Sequence, residues 1–193
     1  MSDDLLLRPW THADAPALLR LYRSTPDLGP QLPDLSDLAA ARDWISWTQV
    51  PGNAIFALTE RGVAIGSVGL SAIDQHHSTG WFHYWMGQPG RGRGLMCRAA
   101  ATVATWALSP MAGPGPSPHA DPDQAPGLGL HRLELGHRVN NPASGRVARA
   151  AGFVQEGLQR DKLTHGDQRF DVVAMARLAT DPQPSLTPIR LQT

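Results

Sequence analysis

Residues 88–97 read QPGRGRGLMC, between an aromatic-rich run, GWFHYWMG (80–87), and an alanine-rich run, RAAATVATWAL (98–108). The first run reads as the end of a strand. The second, extended back to Arg93, reads as a helix with Leu95, Ala99, Val103 and Trp106 along one face. Three glycines and two arginines therefore occupy a strand-to-helix turn. Amides in the first turn of a helix lack intrahelical partners, and the helix dipole adds about half a positive charge there. Glycines let a phosphate approach those amides, and Arg91 and Arg93 add charge. A Gly/Arg-rich surface turn is the plainer alternative.

Spacing sorts the phosphate loops. The nucleoside-triphosphate loop closes with Gly-Lys-Ser/Thr, which is absent here. The dinucleotide loop needs a third glycine five residues after the first, where this chain has Leu95 or Cys97. A third pattern, Arg/Gln-x-x-Gly-x-Gly/Ala, matches at Arg91 and Gly94 and departs at Met96, where a small residue is expected.

Outward from this turn the elements alternate. Strands are expected at 5–10, 54–60, 63–74, 79–87, 131–139, 153–163 and 169–179. Helices are expected after Thr11, over 37–50 behind a Ser36 cap, and over 142–151. The last has Asn141 as cap, Pro142 first and Gly152 just past its end. Arg61-Gly62 signals a hairpin. The two strand-helix-strand units of the second half require a partly parallel sheet, hence an α/β (α+β mixed-sheet) fold with helices on both faces. Residues 109–129 hold six prolines and few large apolar side chains, and read as a long inserted loop. The reading is one domain over 1–179, with 180–193 an unstructured tail.

Composition excludes several classes. Net charge is zero, so no basic field gathers nucleic acid or an anionic membrane. The single cysteine, Cys97, excludes an internal disulfide framework, and the eight histidines show no metal spacing. The start MSDDLLLRPW has no signal-peptide pattern, and no apolar run reaches the ~20 residues of a membrane span. The expectation is a soluble cytoplasmic protein. Its oligomeric state is left open, a homodimer included.

Four segments, YWMG (84–87), RGRGLM (91–96), GLHRLEL (129–135) and NNPASGRVARAAGFVQEG (140–157), give the chain a resemblance to the GNAT acetyltransferase superfamily. It looks most like the RimJ/RimL branch, which acetylates ribosomal-protein N-termini. The resemblance implies acetyl-CoA as donor. It also implies a central, mostly antiparallel sheet splayed between its fourth and fifth strands, with pantetheine in the opening. It maps the cofactor site onto Trp85, Met86 and Gly87, the loop Arg91, Gly92, Arg93, Gly94, Leu95 and Met96, and Asn141 and Ser144. In the family, amides after a bulge on the fourth strand polarise the thioester carbonyl, and the counterpart of Ser144 is a candidate proton donor to the leaving thiol.

The general base stays open. Many relatives carry an acid on the fourth strand where this chain has Trp81; His83 on that strand and Glu134 on the next are the candidates. Glu134 is one of only three glutamates and reads equally well as the partner of Arg132 or Arg146; His137 reads as structural, and Cys97 as a buried thiol far from the thioester. A free α-amine, of pKa about 8, costs roughly 1 kcal/mol to neutralise at pH 7, against nearly 5 for a lysine of about 10.4. A missing acid is therefore easier to reconcile with an α-amine. The expected activity is direct transfer of acetyl to a peptide or protein N-terminus. Small-molecule amines (an antibiotic, a polyamine) and a non-catalytic acyl-CoA-binding module are the alternatives.

Overall fold

The computed structural model describes residues 4–111 and 126–193. Its strands are β1 (Leu5–Pro9), β2 (Ala54–Glu60), β3 (Val63–Asp74), β4 (Thr79–Met86), β5 (Arg132–Arg138), β6 (Val154–His165), β7 (Gln168–Leu178) and β8 (Arg190–Leu191). The α-helices are α1 (Ala15–Ser24), α2 (Leu38–Thr48), α3 (Leu95–Leu108) and α4 (Pro142–Ala150). The strands form one sheet in the order β6-β7-β5-β4-β3-β2-β1-β8. One core cluster packs α3 and α4 on one face, through Val103, Ala148 and Phe82; the other packs α1 and α2 on the opposite face, through Leu18, Ile45 and Trp85.

Local chemistry sets the element ends. Arg61 and Gly62 both have positive φ, 50° and 78°, as a two-residue hairpin turn between β2 and β3 requires. Asn141 caps α4 by accepting the Ser144 amide at 3.1 Å, and Gly152 ends it with φ 86°. The cap of α2 is Asp37, not the neighbouring Ser36: its carboxylate accepts the Ala40 amide at 2.8 Å. Thr11 begins a short 3-10 turn, His12–Asp14, that precedes α1.

The sheet divides at its middle. β4 pairs with β5 in parallel only at Thr79↔Arg132, Gly80↔Leu133 and Trp81↔Glu134. Beyond Trp81, β4 stays with β3 up to Gly66↔Met86, while β5 stays with β7 up to Arg138↔Val172. The two halves diverge, and the opening lies between Phe82–Met86 and Leu135–Arg138. The fourth-strand bulge implied by the resemblance is not there: pairing runs unbroken from Gly66↔Met86 to Ser71↔Trp81, and the irregularity falls between Ser71 and Asp74, where Ala72 has φ 50°. Divergence of β4 from β5, not a bulge, makes the gap.

The expected unstructured tail is ordered instead. Ile189 is 3 % exposed and joins the α3-side core. Its amide bonds Thr102 Oγ1 of α3 at 3.0 Å, and Arg98 Nε holds the Thr187 carbonyl at 3.0 Å. Residues 190–191 then add to β1 as the parallel strand β8. Spaced apolar residues, Leu186, Ile189 and Leu191, supply the burial that outweighs the prolines around them.

Most of the proline-rich 109–129 segment, residues 112–125, lies outside the described residues. Its ends meet in a neck at the far end of α3 from the glycine turn: Gly127 N bonds Pro110 O at 3.0 Å, and Gly129 N bonds Ser109 O at 2.9 Å. No helix among the described residues is long and apolar enough to cross a membrane.

Candidate active site

Two cavities open on the divergence. The smaller, about 430 Å³, runs from the glycine turn along α4. The larger, about 860 Å³, lies mainly on the α1–α2 side of the sheet. They share Gln31, Tyr84, Trp85, Asn141 and Ser144.

The smaller cavity is built for an anion and an extended chain. Gly92 and Gly94 have φ 76° and 71°, left-handed values that favour glycine, and Gly94 caps α3. A Cβ at either would meet nothing within 4 Å, so the glycines serve backbone shape and leave the approach open. Arg91 lines the cavity, its Nε donating to the Met86 carbonyl at 2.9 Å and its Nη1 2.9 Å from Asp27. Arg146, on the second turn of α4, lines the same space. Met96 is 7 % exposed and packs into the core while also lining this cavity.

Not every expected cofactor residue gathers here. Trp85, Met86, Arg91, Gly92, Gly94, Leu95, Met96, Asn141 and Ser144 line the smaller cavity; Gly87 and Arg93 do not. Arg93 is held by Glu60 at the end of β2, at 3.0 and 2.5 Å. Gly87 donates its amide to Ile65 of β3 at 3.0 Å, and a Cβ there would sit 2.4 Å from Leu21 Cδ2. A side chain here would have to displace Leu21 of α1. Alternation along a strand then turns the amides of Tyr84 and Met86 the other way, toward the opening. Of the Trp85–Met86–Gly87 segment, the Met86 amide is the donor that can reach a carbonyl in the gap.

The larger cavity is lined by aromatic rings from α2 and β4, among them Trp44, Trp47, Trp81 and Trp85. Residues 30–34 of the α1–α2 loop close one side. That loop is no loose connection: Leu28, Leu32 and Leu35 are all buried, and its start is tied to the glycine turn by a 3.0 Å hydrogen bond from Gln88 N to Thr25 Oγ1.

Four polar side chains, Tyr84, Ser144, His83 and His137, line the larger cavity at the split, and the first two line both cavities. Tyr84 donates to the Ser144 carbonyl at 2.7 Å, and its hydroxyl lies 3.1 Å from Ser144 Oγ. Burial chiefly, with the nearby Cys97 thiol adding, pushes the Tyr84 phenol up to about 12, against the opposing pull of its Ser144 hydrogen bond. His83 lines the larger cavity with Nε2 buried and unpartnered, and burial lowers its pKa to about 4. His137, also lining it, uses Nδ1 toward the Arg138 carbonyl at 3.0 Å and presses its ring edge against Gly145 of α4.

Glu134 lies elsewhere. It lines neither cavity, and Arg132 binds its carboxylate at 2.6 Å while also bridging to Glu156. The structural partner, Arg132, is what the sequence offered as one alternative. Cys97 is half-buried and lines the smaller cavity close to Tyr84, nearer the site than its sequence position suggested. Tyr84 had no assigned role in the sequence, and Arg146 only that of an alternative partner for Glu134. Both sit in segments that carry the resemblance, YWMG and NNPASGRVARAAGFVQEG, where periodicity gives each a face but not which face meets the opening.

A split mixed sheet with an anion-ready helix N-terminus beside the split defines the architecture of an acyl-CoA-dependent N-acyltransferase. The family model described as "Acetyltransferase (GNAT) domain" matches residues 4–154, and the chain belongs to that family. Among solved structures it is similar to RimL, a ribosomal L7/L12 α-N-protein acetyltransferase in complex with coenzyme A (20% identity, 92% of this chain and 95% of that one, TM-score 0.75). It is also similar to the ribosomal-protein-S5-alanine acetyltransferase of Vibrio fischeri (19%, 95% and 98%, 0.73). A third is the microcin C7 self-immunity acetyltransferase in complex with acetyl-CoA and AMP (17%, 92% and 93%, 0.72). No curated protein matches.

Proposed function

We propose that this acetyltransferase moves the acetyl group of acetyl-CoA directly to a primary amine, with the α-amine of a peptide or protein as acceptor. The observation that carries this is the meeting of an anion-ready cavity and a separate aromatic one at Tyr84, Trp85, Asn141 and Ser144, within the split of the sheet. A cytoplasmic location, where acetyl-CoA is at hand, belongs to the same proposal.

The chain's groups divide the work. The first-turn amides of α3, behind Gly92 and Gly94, hold the pyrophosphate, with Arg91 and Arg146 beside them. The Met86 amide donates to the thioester carbonyl, where negative charge develops. Tyr84 and Ser144 form a hydroxyl pair beside the leaving sulfur. A thiolate whose thiol has a pKa near 8.5 is a weaker base than a phenolate at about 12. The thiolate therefore takes no proton from Tyr84, whose O–H is already given to the Ser144 carbonyl; the Ser144 hydroxyl donates a hydrogen bond to it, and the proton that finally makes the thiol is the one the amine gives up, through water, as the amide forms.

His83 sets the state in which the amine must arrive. At a pKa of about 4 it is neutral in working buffers, and it can accept a hydrogen bond from an amine N–H. Stripping a proton from an ammonium of pKa about 8 would be uphill by about four units, roughly 5 kcal/mol. The amine must thus give its ammonium proton to water before it attacks, which suits an α-amine and disfavours lysine. The rate should climb with pH through the acceptor's own pKa near 8, without an inflection from His83.

A small-molecule amine is the second reading, favoured by the aromatic lining of the larger cavity. Thiol release from acetyl-CoA, measured with peptides, lysine peptides, polyamines and aromatic amines, tests both. Turnover of peptides with a free N-terminus above all others is expected. Binding of CoA with no turnover of any amine would leave a non-catalytic acyl-CoA-binding module.

A further inference from the structure

The larger cavity specifies what stands next to the amine. Trp10, Trp44 and Trp85 form a triangle of rings with centroids 5.3, 6.0 and 6.1 Å apart, and Trp47 joins Trp44 at 6.4 Å on the surface side, so Trp44, Trp47 and Trp85 line the cavity on a rigid aromatic base. Trp81 lies over Gly136 of β5, where a Cβ would come within 3.5 Å of its ring. The exposed tryptophans among the described residues are Trp47 and Trp81, each 44 % exposed, and both line this cavity.

Exposing two indoles costs solvation unless a ligand covers them. Charge is arranged to match. Asp34 and Asp43 line the same cavity, exposed, and neither joins an ion pair among the described residues. The cation there, Arg138, is placed over the Phe170 ring at 5.4 Å. Carboxylates at an aromatic site attract an ammonium, and the rings then receive an apolar body.

We propose that the acceptor carries a bulky apolar group on the carbon next to its amine, seated against Trp47 and Trp81. The inference rests on the reading of this cavity as the acceptor site of N-acetyl transfer. Two sources supply such a group: a large apolar first residue of a peptide, or a free aromatic amine.

The test is a series of peptides identical after the first residue, which is Ser, Ala, Leu, Phe or Trp, together with phenylethylamine and spermidine as separate arms. For Phe and Leu peptides kcat/KM should exceed that for Ser by about ten-fold or more. The peptide arm and the phenylethylamine arm decide the source. Trp47→Ala and Trp81→Ala should erase that preference, with CoA affinity by calorimetry, a property of the smaller cavity that neither tryptophan lines, as the control for folding. Equal rates across the series, or a Ser, Ala or spermidine optimum, would overturn the proposal. Calorimetric binding of the N-acetylated Phe and Ser peptides, in the presence of CoA, gives a readout free of catalysis. Tighter binding of acetyl-Phe with no turnover of any amine would sink the catalytic reading and keep this one. Equal binding of the two would sink this one alone.

Discussion

The two cavities share side chains at their junction but are made of different matter. The smaller is organised by backbone: two left-handed glycines, the first turn of α3 and the capped start of α4 supply most of its lining from two stretches of chain, 84–97 and 141–147. The larger is mostly side chain, drawn from the α1–α2 loop, α2, β3, β4, β5 and the β6–β7 region. A backbone site is specified by a few residues in sequence. A side-chain site is specified only by the folded arrangement of distant elements. Changes to the first should therefore harm every reaction alike, and changes to the second should sort acceptors.

The sharpest break is Gly94→Asp. It places a carboxylate at the N-terminus of α3, where an anion is meant to sit, and forces φ 71° on a residue with a Cβ. CoA affinity by calorimetry should fall about 100-fold, with no change in the ranking of acceptors. Next is acid stability, through His83 on the acceptor side. Its pKa in the fold, about 4, lies below its ordinary 6.5, so the unfolded chain binds the extra proton more readily. The associated stability is whole above pH 6.5 and is lost as pH falls toward 4. Thermal melts of His83→Gln should show a flatter decline across that window than the parent.

At the junction, Tyr84→Phe removes the hydroxyl from the Ser144 pair. A loss of about ten- to thirty-fold in kcat is expected, and adding Ser144→Ala should cost much less than the two losses multiplied. A smaller contrast lies within the glycine turn. Arg91→Ala should weaken CoA about ten-fold, whereas Arg93→Ala, whose guanidinium is directed to Glu60, should change it less than about three-fold. Glu134→Gln comes last. Rate and pH–rate profile should both stay within about two-fold, because Arg132, not substrate, holds that carboxylate. A shifted profile would return Glu134 to the chemistry.

The same division explains what could be read from the chain. The glycine turn, the Asn141 cap, Pro142 and Gly152 are local signals with fixed spacing, and the structure carries each one. The divergence of β4 from β5 came from the family resemblance; nothing in FHYWM or LGHR separates two strands that pair from two that part. Gly87 and Arg93 look like neighbours of the site in sequence, yet tertiary packing against Leu21 and Glu60 assigns them elsewhere. Tyr84 was hidden for the opposite reason: its partner, Ser144, is sixty residues away. The tail misled because its three apolar residues are separated by prolines and polar groups that alone suggest disorder.

The parting of β4 and β5 also has a meaning in hydrogen exchange. Central strands of a sheet normally trade amide protons only when the whole domain opens, and edge strands much sooner. Here the amides of Tyr84 and Met86 lie mid-sheet yet face a gap, so the free protein should exchange them as an edge does. A ligand whose arm carries amide groups, as pantetheine does, docks there as an added strand would. Deuterium uptake at those positions thus becomes a gauge of occupancy: fast in the empty fold and slow in the filled one, while Thr79–Trp81, paired with β5 throughout, keep the same pace in both.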